Sequence, residues 1–514
     1  MPAYTSPGVY VNEAPLKANI QTNAGATAAA FIGTAARGPV APQLINDWSS
    51  YTTIFGALED QYDLGYAVYH YFTNGGRSCW VSRVVAAAAV TAAADEAGTN
   101  AVEWDPDTLG DVTLFEVTAN SPGVWGNSLA IKTLAGTIPA TATNFPNFHF
   151  VVELDGVEVE RWIDCEIDPA HPRYVQNVVN SYSSFVTVSN VNPGGAVPNV
   201  DAALPAAVGG YPLALGSDGT VADGDYDTSV AGLAVTDGPL LINIPAVTTT
   251  SVITAAVAFA GTRGDSFVII DTSKADTTKE EVMTTAANFA NVNPSSYGAV
   301  YGPALIMIDP ARRGVSSTRI TAPGGAIAGL FIRTEIERNI AKAPAGYNST
   351  IRGALAPAFK VSDADIGVMY VGATPVNSFK AIPGAGVSVN GARTIAKTTP
   401  DKFIPVRRTL NHLKYHLKDI TQYAPFEPND ARLWQRLSQD VSSYLGNFWR
   451  AGGLAGARSS EAFYVVCNRS NNTDGTIANG EVHVEVGVAL SSPAEFVVIN
   501  LSQWTGGAAQ ATES

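Results

Sequence analysis

A chain of 514 residues, 46% hydrophobic and only 15% charged, exceeds what one hydrophobic core usually supports and is too apolar for general disorder. Length alone therefore predicts a multidomain globular protein. Its three cysteines, Cys79, Cys165 and Cys467, lie far apart, with no CxxC pair and no histidine at metal-ligand spacing, which argues against a disulfide framework and a zinc site and fits a reducing compartment.

The net charge of −15 is unevenly placed. Residues 95–237 hold 20 Asp and Glu against Lys132, Arg161 and Arg173 alone, whereas the rest of the chain carries 28 basic and 26 acidic residues. An acidic block of this kind reads as a solvated outer domain and argues against nucleic acid as a partner. The start MPAYTSPGVYVNE has neither a basic n-region nor an apolar h-region, and the alanine tract Ala86 to Ala94 is too short to span a bilayer. Neither secretion by signal peptide nor membrane insertion is expected.

Residues 1–20 join a Ser6-Pro7-Gly8 turn to the alternating Val9-Tyr10-Val11 with no partner strand nearby in sequence, which predicts an extended arm completed elsewhere. Residues 21–94 then read as the start of an α/β domain, with an apolar run at 27–34, a helix near 64–72 and a strand at 79–85. The acidic block alternates in strand fashion at 113–118, 148–154 and 157–162, with no comparable helical period, and reads as a β-rich insertion over 95–237. The α/β pattern resumes over 238–391, with strands at 266–270 and 304–308 and helices near 279–290 and 325–340.

From Ala392 a C-terminal domain is expected to run to residue 493. In its first helix, placed at 407–423, Leu410, Leu413, Leu417 and Ile420 share one face, while Arg407, Lys414 and Lys418 project from the other. The second begins after Asn429 or Asp430 as N-cap, carries Leu433, Leu437, Val441, Leu445 and Phe448 inward, and stops at Gly452-Gly453. Strands are predicted at 462–467, 481–490 and 495–501, with residues 494–514 as a terminal strand and tail.

Several stretches carry a family resemblance. Ser6-Pro7-Gly8-Val9-Tyr10, Pro323-Gly324-Gly325-Ala326-Ile327-Ala328-Gly329, Ala343-Pro344-Ala345-Gly346, Phe426-Glu427-Pro428-Asn429-Asp430-Ala431-Arg432-Leu433-Trp434 and Ala494-Glu495-Phe496-Val497-Val498 are similar to the tail sheath proteins of contractile phage tails, R-type tailocins and related injection systems. The resemblance covers most of the chain, but the acidic insertion matches no family motif. It implies an α/β multidomain fold: an α+β inner domain from the C-terminal part with terminal strand arms, an α/β middle domain and a β-rich outer insertion. It further implies stacked hexameric rings in a virion tail or injection particle assembled in the host cytoplasm. The partners would be copies of itself, an inner tail tube, and baseplate and tail terminator proteins. Strand arms exchanged between subunits would include Val9, Tyr10, Val11, Phe496, Val497, Val498, Ile499 and Leu501. A static shell protein and an α/β enzyme are the competing readings.

Chemical motifs are weak. Gly324-Gly325 with Gly329 lacks dinucleotide-loop spacing, and neither GxxxxGK[ST] nor GxSxG occurs, so no cofactor or catalytic residue is assigned. Asp223, Asp225 and Asp227 imitate a calcium loop but place Thr228 where glycine is needed. Arg263-Gly264-Asp265 reads as a turn, and His412 with His416 as a helix face without a third metal ligand. Arg407, Arg408, Lys414 and Lys418 form a basic stripe whose functional reading is contact with the inner tube, beside simple solvation.

Overall fold

The computed structural model describes residues 27–94, 101–104, 112–137, 147–191, 211–312, 317–398 and 402–495. Its centre is an eight-stranded sheet in the order Gly386–Asn390, Val376–Ile382, Gly298–Tyr301, Phe267–Asp271, Leu240–Asn243, Ala28–Gly33, Cys79–Arg83, Gln43–Ile45. The six inner strands are parallel, and an antiparallel strand closes each edge. Both faces are covered, which is why these strands are short continuous apolar runs and not alternating ones.

Successive residues of the first strand enter opposite cores. Ala29 and Phe31 pack with Tyr71, Ile327 and Phe331, from the helices Asp63–Thr73 and Gly324–Glu337. Ala30 and Ile32 pack instead with Val252, Ala256 and Val257 of the helix Thr250–Arg263. The expected helices near 64–72, 279–290 and 325–340 form at Asp63–Thr73, Lys279–Ala287 and Gly324–Glu337.

Gly324-Gly325 and Gly329 serve close packing. A Cβ at Gly325 would fall on the backbone of Ala67, and one at Gly329 on the carbonyl of Tyr71, because the two helices lie backbone to backbone at these points. Gly325→Ala is therefore expected to cost about 3 kcal/mol, the upper range for overpacking, read as a lowered urea midpoint at unchanged m-value. A loss below about 0.5 kcal/mol would show that the helices separate freely.

The acidic segment forms a second, antiparallel sheet: Val186–Ser189, Val112–Ala119, Ala93–Ala94, Tyr211–Ala214, Leu129–Ala135, Phe148–Leu154, Val157–Cys165, with Ala101–Trp104 also paired to Val112–Ala119. Phe115, Val117, Phe150 and Val152 build its core, against which the helix Val175–Tyr182 lays Val175 and Val179. Helix Asp223–Gly232 and Leu233 bury Val230 and Leu233 among Ile32, Ile242 and Val257 of the central domain. Asp225 caps its start, accepting from the amide of Ala222 at 2.8 Å, and also takes the amide of Ala87 at 3.1 Å.

A three-stranded antiparallel sheet, Thr318–Thr321, Leu305–Ile308 and Ala354–Pro357, flanks the central core. The C-terminal part comprises the helices Ile404–Ile420 and Ala431–Arg450 and the hairpin Phe463–Val466 with Glu485–Val488. The first helix starts three residues before the expected 407, with Pro405 in its first turn, where the missing amide costs nothing. Asp430 caps the second as expected, accepting from the amides of Arg432 at 2.9 Å and Leu433 at 3.0 Å.

Candidate functional site

Among the described residues, the C-terminal part carries an open apolar groove beside a two-stranded sheet. Helix Ala431–Arg450 buries Leu433, Leu437, Val441 and Leu445 along one stripe. Between this helix, the end of Ile404–Ile420 and residues 482–486 runs a groove of about 570 Å³, lined by Leu417, Lys418, Phe426, Leu437, Val441, Val482, Val484 and Val486 among others. The strand expected over 481–490 pairs only at Glu485–Val488; Val482 and Val484 line the groove, while His483 between them is held by Asn472, which accepts its amide at 2.7 Å and donates to its carbonyl at 3.0 Å. Among the described residues the hairpin has no third strand.

The motif around Phe426 shapes one wall. Asn429 accepts the indole N–H of Trp434 at 2.8 Å and donates to the carbonyl of Glu481 at 2.9 Å, tying the interhelical loop to the start of the extended segment. Phe426, held at a positive φ of 70°, stands fully in solvent at the rim.

The basic stripe departs from expectation. Arg407 and Arg408 are only 8% and 4% exposed, because the first two turns of their helix are sunk against the central domain and not laid on its surface. Arg408 pairs with Glu335 at 2.7 Å and covers the ring of Phe331, while Arg407 lies over Tyr297 with its guanidinium 4.8 Å from the ring centre. Lys414 donates to the Tyr297 hydroxyl at 3.0 Å and, like Lys418, remains exposed. Arg407 and Arg408 are thus held within the chain; their partners come from distant sequence, which the helix's own i±4 positions could not reveal. Lys418 borders the apolar groove. The expected arm residues Val9, Tyr10, Val11, Phe496, Val497, Val498, Ile499 and Leu501 lie outside the described residues.

His412 and His416 form an aromatic stack. Their rings are 4.2 Å apart, His412 stacks on Phe448 and His416 on Tyr444. Burial, with His416 and Arg408 nearby, pushes His412 down to about 3 from its ordinary 6.5. A folded pKa below the unfolded one favours the neutral ring, so this stabilisation is complete above pH 6.5 and is lost as pH falls towards 3. Between pH 7 and 4.5, His412→Leu should therefore lose less thermal stability than the parent chain. Equal losses would exclude His412 as the titrating group.

The helix start at Gly324 offers no phosphate cradle. Asp271, fully buried at the end of its strand, accepts the Gly324 amide at 2.7 Å and the Asn243 side-chain amide at 3.1 Å, so a carboxylate already occupies that N-terminus. Burial pushes Asp271 up to about 7 against these hydrogen bonds. Arg263-Gly264-Asp265 is a helix end, with Gly264 at φ 79° and Arg263 bound to Asp265 at 2.8 Å. Among the described residues no three His, Cys, Asp or Glu side chains could hold a metal ion, and no helix is long and apolar enough to cross a membrane.

Residues 397–503, which contain the groove, match the phage tail sheath C-terminal domain. The tail sheath protein of Vibrio phage KVP40 is 29% identical over 180 residues, covering 34% of this chain and 25% of that protein. The tail sheath protein of Enterobacteria phage T4 is 28% identical over 185 residues, covering 35% and 27%. The chain is thus similar to tail sheath proteins, and its residues 397–503 to their C-terminal domain. The matched segment spans about a quarter of either phage sheath protein. The sheath likeness extends further in fold. The sheath tail protein of Listeria innocua superposes with a TM-score of 0.59 at 14% identity, covering 87% of this chain and 90% of that one. The contracted helical sheath of the anti-feeding prophage gives 0.55 at 17% identity, covering 98% and 100%.

Proposed function

We propose that the chain is the structural and mechanical subunit of a contractile sheath, polymerising as stacked hexameric rings around an inner tube and contracting to drive that tube through a target envelope. The observation that carries this reading is the apolar groove that, among the described residues, stands open beside a two-stranded sheet. An added strand would gain several backbone hydrogen bonds, each worth about 1 kcal/mol net, and would bury alternate side chains among Val482, Val484 and Val486. Val9-Tyr10-Val11 and Phe496 to Leu501 of neighbouring subunits have the alternating or continuous apolar character that such a strand needs.

Sheath relatives and sheath folds support the same reading. On it, the further partners are the inner tube, the baseplate and a tail terminator, in a virion tail or injection particle assembled in the host cytoplasm. Of the basic stripe, Lys414 and Lys418 keep the exposure that tube contact requires. A structural and not an enzymatic role accords with a central sheet whose one glycine-rich helix start is filled by Asp271. Contraction then draws on two lattices of unequal burial: at about 25 cal/mol per Å², roughly 200 Å² more apolar burial per subunit would release about 5 kcal/mol.

Electron microscopy of the purified chain tests this. Hollow tubes or rings are expected, and tubes of two diameters distinguish a contractile sheath from a static shell. Protein that stays monomeric under all assembly conditions would overturn the reading.

A further inference from the structure

Arg393, beside the central sheet, and Glu495, where the chain comes back to the central domain after the C-terminal part, are bonded to each other. Arg393 donates to both carboxylate oxygens of Glu495, Nε to Oε1 at 2.9 Å and a terminal nitrogen to Oε2 at 2.5 Å. The hydroxyl of Tyr370 donates to the same Oε1 at 2.6 Å, and the guanidinium lies 4.1 Å from the centre of the Tyr370 ring. Both charged side chains are mostly covered, at 15% and 12% exposure.

The fixed half of this arrangement stands on the central sheet. Asn377, fully buried in the strand Val376–Ile382, accepts from the Arg393 amide and donates to its carbonyl, each at 2.8 Å, and its amide also reaches the carbonyl of Val300 at 3.1 Å. The returning residues Ser491 to Glu495 line a cavity of about 620 Å³ on the central domain with Lys342, Gly346 and Tyr370, away from the hairpin that precedes them.

We propose that Glu495 is a positioning residue: with Arg393 and Tyr370 it forms a clasp that closes the neck of the C-terminal part and fixes the point on the central domain from which the chain continues past residue 495. Because the following residues are read as a strand arm, this deepens the sheath reading and rests on it. A bidentate Arg–carboxylate pair resists pulling better than a single hydrogen bond, since two parallel bonds must break together. Load on the arm would then reach the eight-stranded sheet through Arg393 and Asn377, and not the hairpin whose groove receives strands.

The test uses a nitroxide at S492C in the full chain, the native cysteines being buried. In the soluble protein the parent label is expected to be immobile. Glu495→Gln, or Tyr370→Phe to a smaller degree, should shorten its correlation time severalfold while the far-UV circular dichroism stays that of the folded parent. The exchanged pair R393E/E495R should restore immobility. Sedimentation under assembly conditions should show E495Q polymers shortened or absent and partly recovered in the exchanged pair. A label as immobile in E495Q as in the parent overturns the clasp, whether or not tubes form. A released label with tubes of normal yield and length overturns its role in assembly. Failure of the parent chain to polymerise counts against the sheath reading alone, because the label reports on the clasp without it.

Discussion

Deletion of residues 1–20 is expected to abolish polymerisation while leaving the fold intact. The first strand of the central sheet is Ala28–Gly33, so the truncation ends before it. Immediately downstream, Thr27 bonds Glu335 at 2.9 Å and the Ala28 amide bonds the carbonyl of Pro239 at 3.0 Å, contacts that the shortened chain retains. What it loses is Val9-Tyr10-Val11, the segment proposed to complete a neighbour's two-stranded hairpin. Each lost strand removes several inter-subunit hydrogen bonds and the burial of alternate side chains, at every junction of the lattice. Circular dichroism and the thermal midpoint should stay near those of the parent, with no tubes by microscopy. Normal tubes from the truncated chain would overturn strand exchange through this arm.

How much of this was legible depended on the distance between cause and consequence. Asp430 caps a helix by bonding amides two and three residues onward, so the sequence places it directly. Phe148–Leu154 forms at its expected bounds because Phe148, Phe150 and Val152 alternate into one core. Helix Thr250–Arg263 escaped notice, since small residues such as Ala255, Ala256 and Ala260 blur its period even though Ala256 and Ala260 pack on the sheet. Helix Asp223–Gly232 was hidden by its charge: three aspartates dominate the segment, while Val230 alone among its apolar residues is well buried.

The candidate site was legible in its apolar half and not in its charged half. The stripe Leu433, Leu437, Val441 and Leu445 follows from spacing. The environment of Arg407 and Arg408 does not, because Tyr297, Phe331 and Glu335 lie far back in the chain and only the sheet and its helices bring them near. The same limit hid the pairing of Arg393 with Glu495 across the whole C-terminal part. The groove itself arises where the expected long strand stops pairing, a fact of tertiary register that the alternating valines at 482, 484, 486 and 488 do not disclose.

The burial of Arg408 makes its reversal a test of folding and not of tube contact. In Arg408→Glu, a new carboxylate would face Glu335 in a site where the present side chains are 5% and 19% exposed, and would lie against Phe331 without a counter-charge. Removing one partner of a buried pair typically costs about 3–5 kcal/mol, since the remaining charge stays desolvated and unpaired, and reversal adds repulsion to that loss. The first turns of Ile404–Ile420 would undock, and with them the strut joining the C-terminal part to the central domain. Urea unfolding should show a lowered midpoint, or a separate early transition for the C-terminal part. Replacing both partners with apolar residues of similar size, Arg408→Met with Glu335→Leu, should recover most of the stability because no buried charge is left uncompensated. Lys418→Glu, on an exposed side chain of the same helix, should change stability by less than about 0.5 kcal/mol. If Arg408→Glu were equally neutral, Arg408 would not be committed inside its own subunit, and its availability to an external partner would have to be restored.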